Sequence, residues 1–102
     1  MSEAWTGPVR AIPLDEDAFH QTNVAGSFFV ADPNKDREQL FWYRCPCGCG
    51  AKKALLVGDG FQPKDGPSWQ WNGSLAAATL IPSVHHIGHW HGWLKNGIWE
   101  SC

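Results

Sequence analysis

The stretch LFWYRCPCGCGAKKALLV, residues 40–57, decides the fold of this 102-residue chain. Its two flanks, residues 40–44 and 53–57, are rich in aromatic and aliphatic side chains that favour β-strands. Between them three cysteines alternate with a proline and two glycines, the residue types that build tight turns. The stretch therefore predicts a β-hairpin whose turn carries Cys45, Cys47 and Cys49.

A second hairpin is predicted near the end of the sequence. Asn96-Gly97 has β-forming residues on both sides, over 89–94 and 98–101, which is the usual signature of a type I′ turn. Alternate side chains of a strand share a face. We therefore expect Trp90 and Leu94 to pack inward, and the opposite face to carry His89, His91, Trp93 and Lys95.

The remaining pattern predicts a mostly β fold, or a small α+β one, made of short antiparallel strands and hairpins. Runs of strand-forming residues occur at 27–31 and 69–71, whereas 75–80 fits either a short helix or a loop before a strand over 79–84. The length allows one domain. We divide it into an N-terminal arm or edge strand, residues 1–25, and a zinc-stapled β-rich domain, residues 26–102.

Four histidines crowd into residues 85–91, about forty positions after the cysteines. Thiolate and imidazole are the preferred ligands of zinc, and each cluster alone is short of a closed tetrahedral site. We therefore predict one Zn²⁺ per chain, held jointly by the two clusters and tying the middle of the chain to its last hairpin. The predicted ligands come from Cys45, Cys47, Cys49, His86, His89 and His91, with His85 as a weaker candidate.

Other metals fit this pattern less well. Calcium and magnesium prefer oxygen ligands, and no carboxylate accompanies the cysteines. An iron–sulfur centre of the Rieske type pairs a cysteine with a histidine in each of two loops. Here all clustered cysteines lie in one segment and all clustered histidines in another, so an iron–sulfur cluster is disfavoured.

The composition narrows the possible partners and location. The formal net charge is −2 and lysines and arginines form no run, which argues against nucleic-acid binding. The sequence shows no membrane-spanning apolar stretch and no secretory signal, so we expect a cytoplasmic protein with reduced cysteines. Seven tryptophans in 102 residues are many; most should be core, and any exposed one would mark a protein-binding surface.

Two motifs together resemble a small, functionally uncharacterised family. CPCGCG at 45–50 and HWHGWLKNG at 89–97, with Pro82-Ser83-Val84 between them, are similar to proteins of tailed phages and to proteins encoded beside bacterial ubiquitin-like conjugation genes. Such proteins are often called "ammonia monooxygenase", a name that these residues do not support. The resemblance implies a zinc-binding, β-rich domain and does not imply any particular activity. Family members usually have a cysteine where Gly88 stands, so the resemblance leaves His86 or His89 as the fourth ligand.

From the sequence we predict a small non-catalytic zinc-binding protein that acts by contact with another protein. A phage accessory or host-interaction role would place it in the host cytoplasm. The alternative is a metal-dependent zinc enzyme, which would keep an open position on the ion for water. A nucleic-acid-binding module and a virion structural protein are further alternatives.

Overall fold

The computed structural model describes residues 6–102, and the first tryptophan, Trp5, lies outside this range. Ten strands and one short helix follow one another within these residues. They are β1 (Val9–Arg10), β2 (Ile12–Pro13), α1 (Glu16–Gln21), β3 (Ser27–Val30), β4 (Glu38–Arg44), β5 (Lys52–Asp59), β6 (Trp69–Trp71), β7 (Leu80–Ile81), β8 (Val84–His86), β9 (Trp90–Lys95) and β10 (Ile98–Ser101). The prediction of a mostly β fold is confirmed.

The strands form two sheets. A six-stranded sheet has the order β2-β3-β4-β5-β6-β7, and a four-stranded sheet has the order β1-β10-β9-β8. The smaller sheet is antiparallel throughout, whereas β2 with β3 and β5 with β6 are parallel pairs in the larger one. The chain passes from the larger to the smaller sheet through the two residues Pro82 and Ser83, which separate β7 from β8.

Both predicted hairpins are present. β4 and β5 pair antiparallel over seven positions and end in the cysteine turn. β9 and β10 pair antiparallel across Asn96-Gly97, whose φ angles of 50° and 77° are those of a type I′ turn. The alternation predicted for β9 is correct within the strand, since Trp90 and Leu94 are fully buried whereas Trp93 and Lys95 are exposed. The prediction was wrong for His89, which lies in the turn before β9 and therefore not on the strand face that carries His91.

The two sheets share one hydrophobic core. Its buried members include Phe28, Phe41, Tyr43, Leu55, Val57, Trp71 and Leu80 from the larger sheet, and Val84, Trp90, Leu94 and Trp99 from the smaller one. The rings of Tyr43 and Trp99 meet across the sheets at 5.1 Å between centroids. Three of the six described tryptophans are thus core residues, Trp42 and Trp69 are partly buried, and Trp93 is exposed.

The N-terminal part contains a helix that the sequence analysis did not predict. The acidic run at 15–17 starts α1: the Asp15 side chain accepts a hydrogen bond from the Ala18 amide at 2.8 Å, and two acidic residues occupy the first turn. β1 pairs with β10 and β2 with β3, both at sheet edges. The division at residue 25 into an arm and a domain stays a prediction.

No helix among the described residues is long and apolar enough to cross a membrane.

Candidate active site and metal centre

The β4–β5 turn gathers the three predicted cysteine ligands. The sulfur atoms of Cys45, Cys47 and Cys49 all lie within 4.8 Å of one another, and the Sγ atoms of Cys45 and Cys47 are 3.2 Å apart. Gly48 and Gly50 make this possible because both adopt positive φ, 87° and 85°, so the chain can reverse between cysteines. All three cysteines are free thiols.

The chemistry of this cluster fits zinc. Thiolates are soft ligands that select zinc over calcium or magnesium, and the cluster contains no carboxylate. Burial raises the pKa of Cys45 well above its ordinary value. Although burial opposes it, hydrogen bonds from Cys45 and Cys49 lower the pKa of Cys47. Cys47 therefore loses its proton more easily than an ordinary thiol, and the thiolate is the form that binds a metal.

Two buried polar groups beside the turn suit a negatively charged metal–thiolate centre. The Tyr43 hydroxyl is buried and has no hydrogen-bond partner among the described residues. Burial raises the pKa of Tyr43, and negative charge on Cys45 and Cys49 raises it further, so the phenol stays protonated and able to donate a hydrogen bond. Arg44 is only 9 % exposed and donates to the carbonyl oxygens of Phe19, His20 and Gly50. Its guanidinium therefore fixes the cysteine turn to the end of α1 and supplies a positive charge next to it.

The four clustered histidines form two separate pairs. His85 and His91 face each other across β8 and β9, with ring centroids 4.5 Å apart, and the rings of His86 and His89 are also 4.5 Å apart. Within residues 6–102 the only group of three or more close potential ligands is the cysteine cluster, and no histidine belongs to it. The cysteine part of the predicted site is therefore brought together, and the histidine part of the ligand set stays a prediction.

His86 has the environment most suited to a ligand among the histidines. Its ring lies 6.2 Å from that of Tyr43, and its Nδ1 atom is buried without a hydrogen-bond partner among the described residues. Burial, with the nearby positive charges of His89 and Lys53, lowers the pKa of His86, so its imidazole is held neutral. A neutral imidazole is the form that binds zinc.

A serine–histidine pair lies at the crossover between the sheets. The Ser83 hydroxyl oxygen is 3.2 Å from Nε2 of His91. Ser83 directly precedes β8, and in the β8–β9 register His85 is opposite His91. Because side chains two apart share a face, Ser83 and His85 lie on the same face of the sheet as His91. Both members of the pair are partly buried.

Ser83 and the strand that follows it, β8, are both bonded to the larger sheet. The indole N–H of Trp69, on β6, donates to the carbonyl oxygen of Ser83 at 3.0 Å. The ammonium group of Lys53, on β5, donates to the carbonyl oxygen of His85 at 3.2 Å. β8 is an edge strand of its own sheet, so these two bonds join it to the neighbouring sheet.

This pair can perform nucleophilic chemistry. A serine hydroxyl bonded to Nε2 of a histidine loses its proton to the ring as it attacks a carbonyl carbon. Among the described residues no carboxylate bonds to His91, and the ring packed against it is that of His85. The arrangement is therefore a dyad within this part of the chain.

The sequence analysis did not identify Ser83 as a candidate site residue. The signal was present: a serine two residues before a histidine, facing a second strand that carries another histidine. It depended on the β8–β9 register, which joins residues four to eight positions apart and which the sequence analysis did not assign.

Comparison with curated proteins and with solved structures gives no significant match. A family model described as "Bacterial ubiquitination-like system serine protease (BubE)" matches residues 14–102. This description agrees with the sequence-based link to bacterial ubiquitin-like conjugation genes, and it mentions neither zinc nor phages. Since the match covers nearly the whole chain, from α1 to the last strand and including both Ser83 and His91, the chain belongs to the BubE family.

Proposed function

We propose that this protein is a serine peptidase in which Ser83 is the nucleophile and His91 the general base. The observation that carries the proposal is the 3.2 Å contact between Ser83 Oγ and His91 Nε2. The family description, which names a serine protease, supports it independently. The earlier expectation of a non-catalytic module finds no support in that description, nor do the phage, virion and nucleic-acid roles.

The reaction follows from the dyad. Ser83 Oγ attacks the substrate carbonyl carbon while its proton passes to Nε2 of His91. The imidazolium then gives this proton to the leaving amine, the C–N bond breaks, and an acyl ester remains on Ser83. His91 next takes a proton from water, the hydroxide attacks the ester, and the returned proton restores the Ser83 hydroxyl as the acid product leaves.

The substrate class comes from the family description alone. A protease of a ubiquitination-like system acts on a polypeptide of that system, so we assign this chain a peptide or isopeptide bond of a ubiquitin-like protein as its target. Partnership with another protein, expected from the sequence, is then that of an enzyme with its substrate.

We assign the cysteine cluster a structural role. In a tetrahedral zinc site, three thiolates from one turn leave one coordination position for a fourth ligand. We assign this position to His86 because its Nδ1 is buried and has no hydrogen-bond partner among the described residues. A site closed by four protein ligands contributes folding energy and no reactive water. Zinc would then rigidify the β4–β5 turn, and the chemistry would remain with the dyad.

Labelling with a fluorophosphonate tests the proposed peptidase. This probe phosphonylates activated serines, so the wild-type protein should gain one adduct at Ser83, and Ser83→Ala and His91→Gln should lose it. Ser74→Ala is the matched control, since Ser74 is partly buried like Ser83 but its hydroxyl accepts a hydrogen bond from the Ala77 amide instead of contacting a histidine. An unlabelled wild-type protein, or a label that persists in Ser83→Ala, would overturn the proposal.

A further inference from the structure

The stacked pair His85–His91 offers two metal ligands outside the cysteine cluster. The two residues are direct cross-strand neighbours on β8 and β9, with ring centroids 4.5 Å apart and ring planes inclined by 29°. His85 is exposed and His91 partly buried, so the pair opens to solvent. A divalent ion can therefore reach both rings from outside without entering the core.

The chemistry of the pair selects a class of ion. Two imidazoles suit zinc, nickel and copper, whereas magnesium and calcium need oxygen ligands. The Ser83 hydroxyl, 3.2 Å from His91 Nε2, offers an oxygen next to the same ring, and water can fill the remaining positions. Lys53 donates a hydrogen bond to the backbone oxygen of His85, and its positive charge repels a metal cation and so weakens metal binding at this pair. Two ligands and a nearby lysine make a weak, reversible site.

We infer that His85 and His91 form a second metal site at which Zn²⁺, or Ni²⁺ or Cu²⁺, reversibly blocks the Ser83–His91 dyad. The ion takes the imidazole lone pair that would otherwise accept the Ser83 proton. A positioned general base contributes about 10²- to 10⁴-fold to rate. Saturating this site should therefore slow reaction of Ser83 by about 10²-fold or more.

The inhibitory part rests on the proposed peptidase, whereas metal binding by the histidine pair does not. The two ions should also differ in how firmly they are held: an ion bound by thiolates should be retained through purification, whereas an ion bound by the histidine pair should exchange with the buffer. His91 is thus assigned both to the dyad and to the second metal site. It is not assigned as a ligand of the ion at the cysteine cluster.

The experiment uses full-length protein carrying Cys102→Ser, because the exposed Cys102 thiol would otherwise bind added metal. The protein is first loaded with one equivalent of Zn²⁺ and freed of excess. Zn²⁺ is then titrated while calorimetry measures binding and a fluorophosphonate measures the labelling rate of Ser83. We expect a second, weaker equivalent to bind, the labelling rate to fall in parallel, and buffer exchange to restore it.

Three histidine variants identify the site. His85→Gln should bind no second ion, and its labelling rate, compared with its own metal-free rate, should no longer fall when zinc is added. His20→Gln should behave as the parent, since His20 contacts Lys52 far along the chain from the dyad. If His89→Gln, and not His85→Gln, removed the second ion, the ion would lie at the His86–His89 pair and the inference would be overturned.

The outcomes separate the two proposals. A labelled protein that binds no His85-dependent zinc overturns the inference and leaves the peptidase standing. A protein that is never labelled but binds a second zinc through His85 overturns the peptidase and leaves the metal site.

Discussion

The indole N–H of Trp69 donates to the carbonyl oxygen of Ser83 at 3.0 Å, and this bond joins the larger sheet to the residue that we assign as nucleophile. Ser83 stands in the two-residue link between β7 and β8, where the chain changes sheets. Its peptide group is therefore not held by a continuous strand on both sides. The position of Ser83 Oγ relative to His91 depends in part on this side-chain contact.

Trp69→Phe should slow the reaction of Ser83. The substitution keeps an aromatic ring against the core but removes the N–H, which leaves the Ser83 carbonyl without its protein donor at a cost of about 1 kcal/mol. A misplacement of about 1 Å can lower a rate by about 10²-fold, so we expect a clear fall in the fluorophosphonate labelling rate with little change in probe affinity.

Trp99→Phe is the matched control for this change. Trp99 also donates its indole N–H to a backbone oxygen, that of Gly26 at 2.9 Å, but it is a core residue and its N–H does not bond to either member of the dyad. We expect Trp99→Phe to lower the unfolding midpoint and to leave the labelling rate unchanged while the protein is folded. Equal effects of the two variants on labelling would mean that Trp69 acts through general stability only.

Local patterns predicted the two hairpins because each is fixed by residues close in sequence. The cysteine turn is bounded by two strand-forming runs, and Asn96-Gly97 determines its own turn by the positive φ angles it adopts. Helix α1 was missed since it spans only six residues, too few for a hydrophobic period, although its Asp15 cap was readable. The parallel pairing of β6 with β5 could not be inferred, because no local turn specifies it.

The sequence predicted the types of residue in the candidate site better than it predicted which of them contact one another. Three cysteines in one turn are necessarily close, so their cluster followed from spacing alone. Three of the four clustered histidines lie on the two strands of a hairpin and His89 lies in its turn, and which ring meets which depends on register. His91 therefore faces Ser83 and His85 in the structure, while the sequence analysis had assigned it to a shared zinc ion.

Cys47→Ser should remove the metal and most of the stability. Serine is a poor zinc ligand, and structural zinc contributes about 10 kcal/mol or more to small metal-dependent domains. Elemental analysis should give one zinc per wild-type chain and none in the variant, with a large fall in unfolding temperature. Cys102→Ser is the control and should keep both metal and stability. A stable, zinc-free wild-type protein would contradict the structural role of the cysteines.

His86→Ala should affect zinc binding, whereas His91→Ala should affect the reactivity of Ser83. If His86 completes the cysteine site, His86→Ala should weaken zinc binding, measured by competition with a chromogenic chelator. If His91 is the base of the dyad, His91→Ala should keep zinc at the cysteines and lose fluorophosphonate labelling. Loss of the cysteine-bound zinc in His91→Ala would support the shared site predicted from sequence and would remove His91 from the dyad.

Gly92→Ala should separate β9 from β10 and displace His91. A Cβ atom at Gly92 would collide with the backbone oxygen of Glu100 and with the indole ring of Trp90, both of which are fixed by the sheet and the core. Overpacking of this kind costs about 3 kcal/mol, and β9 carries His91 at the adjacent position. We expect a lower denaturant midpoint together with slower labelling of Ser83. Gly7→Ala should be neutral in both assays, because a Cβ there meets no atom within 4 Å among the described residues. An unchanged midpoint for Gly92→Ala would show that the two strands separate at little cost, and their spacing would then not be what holds His91 against Ser83.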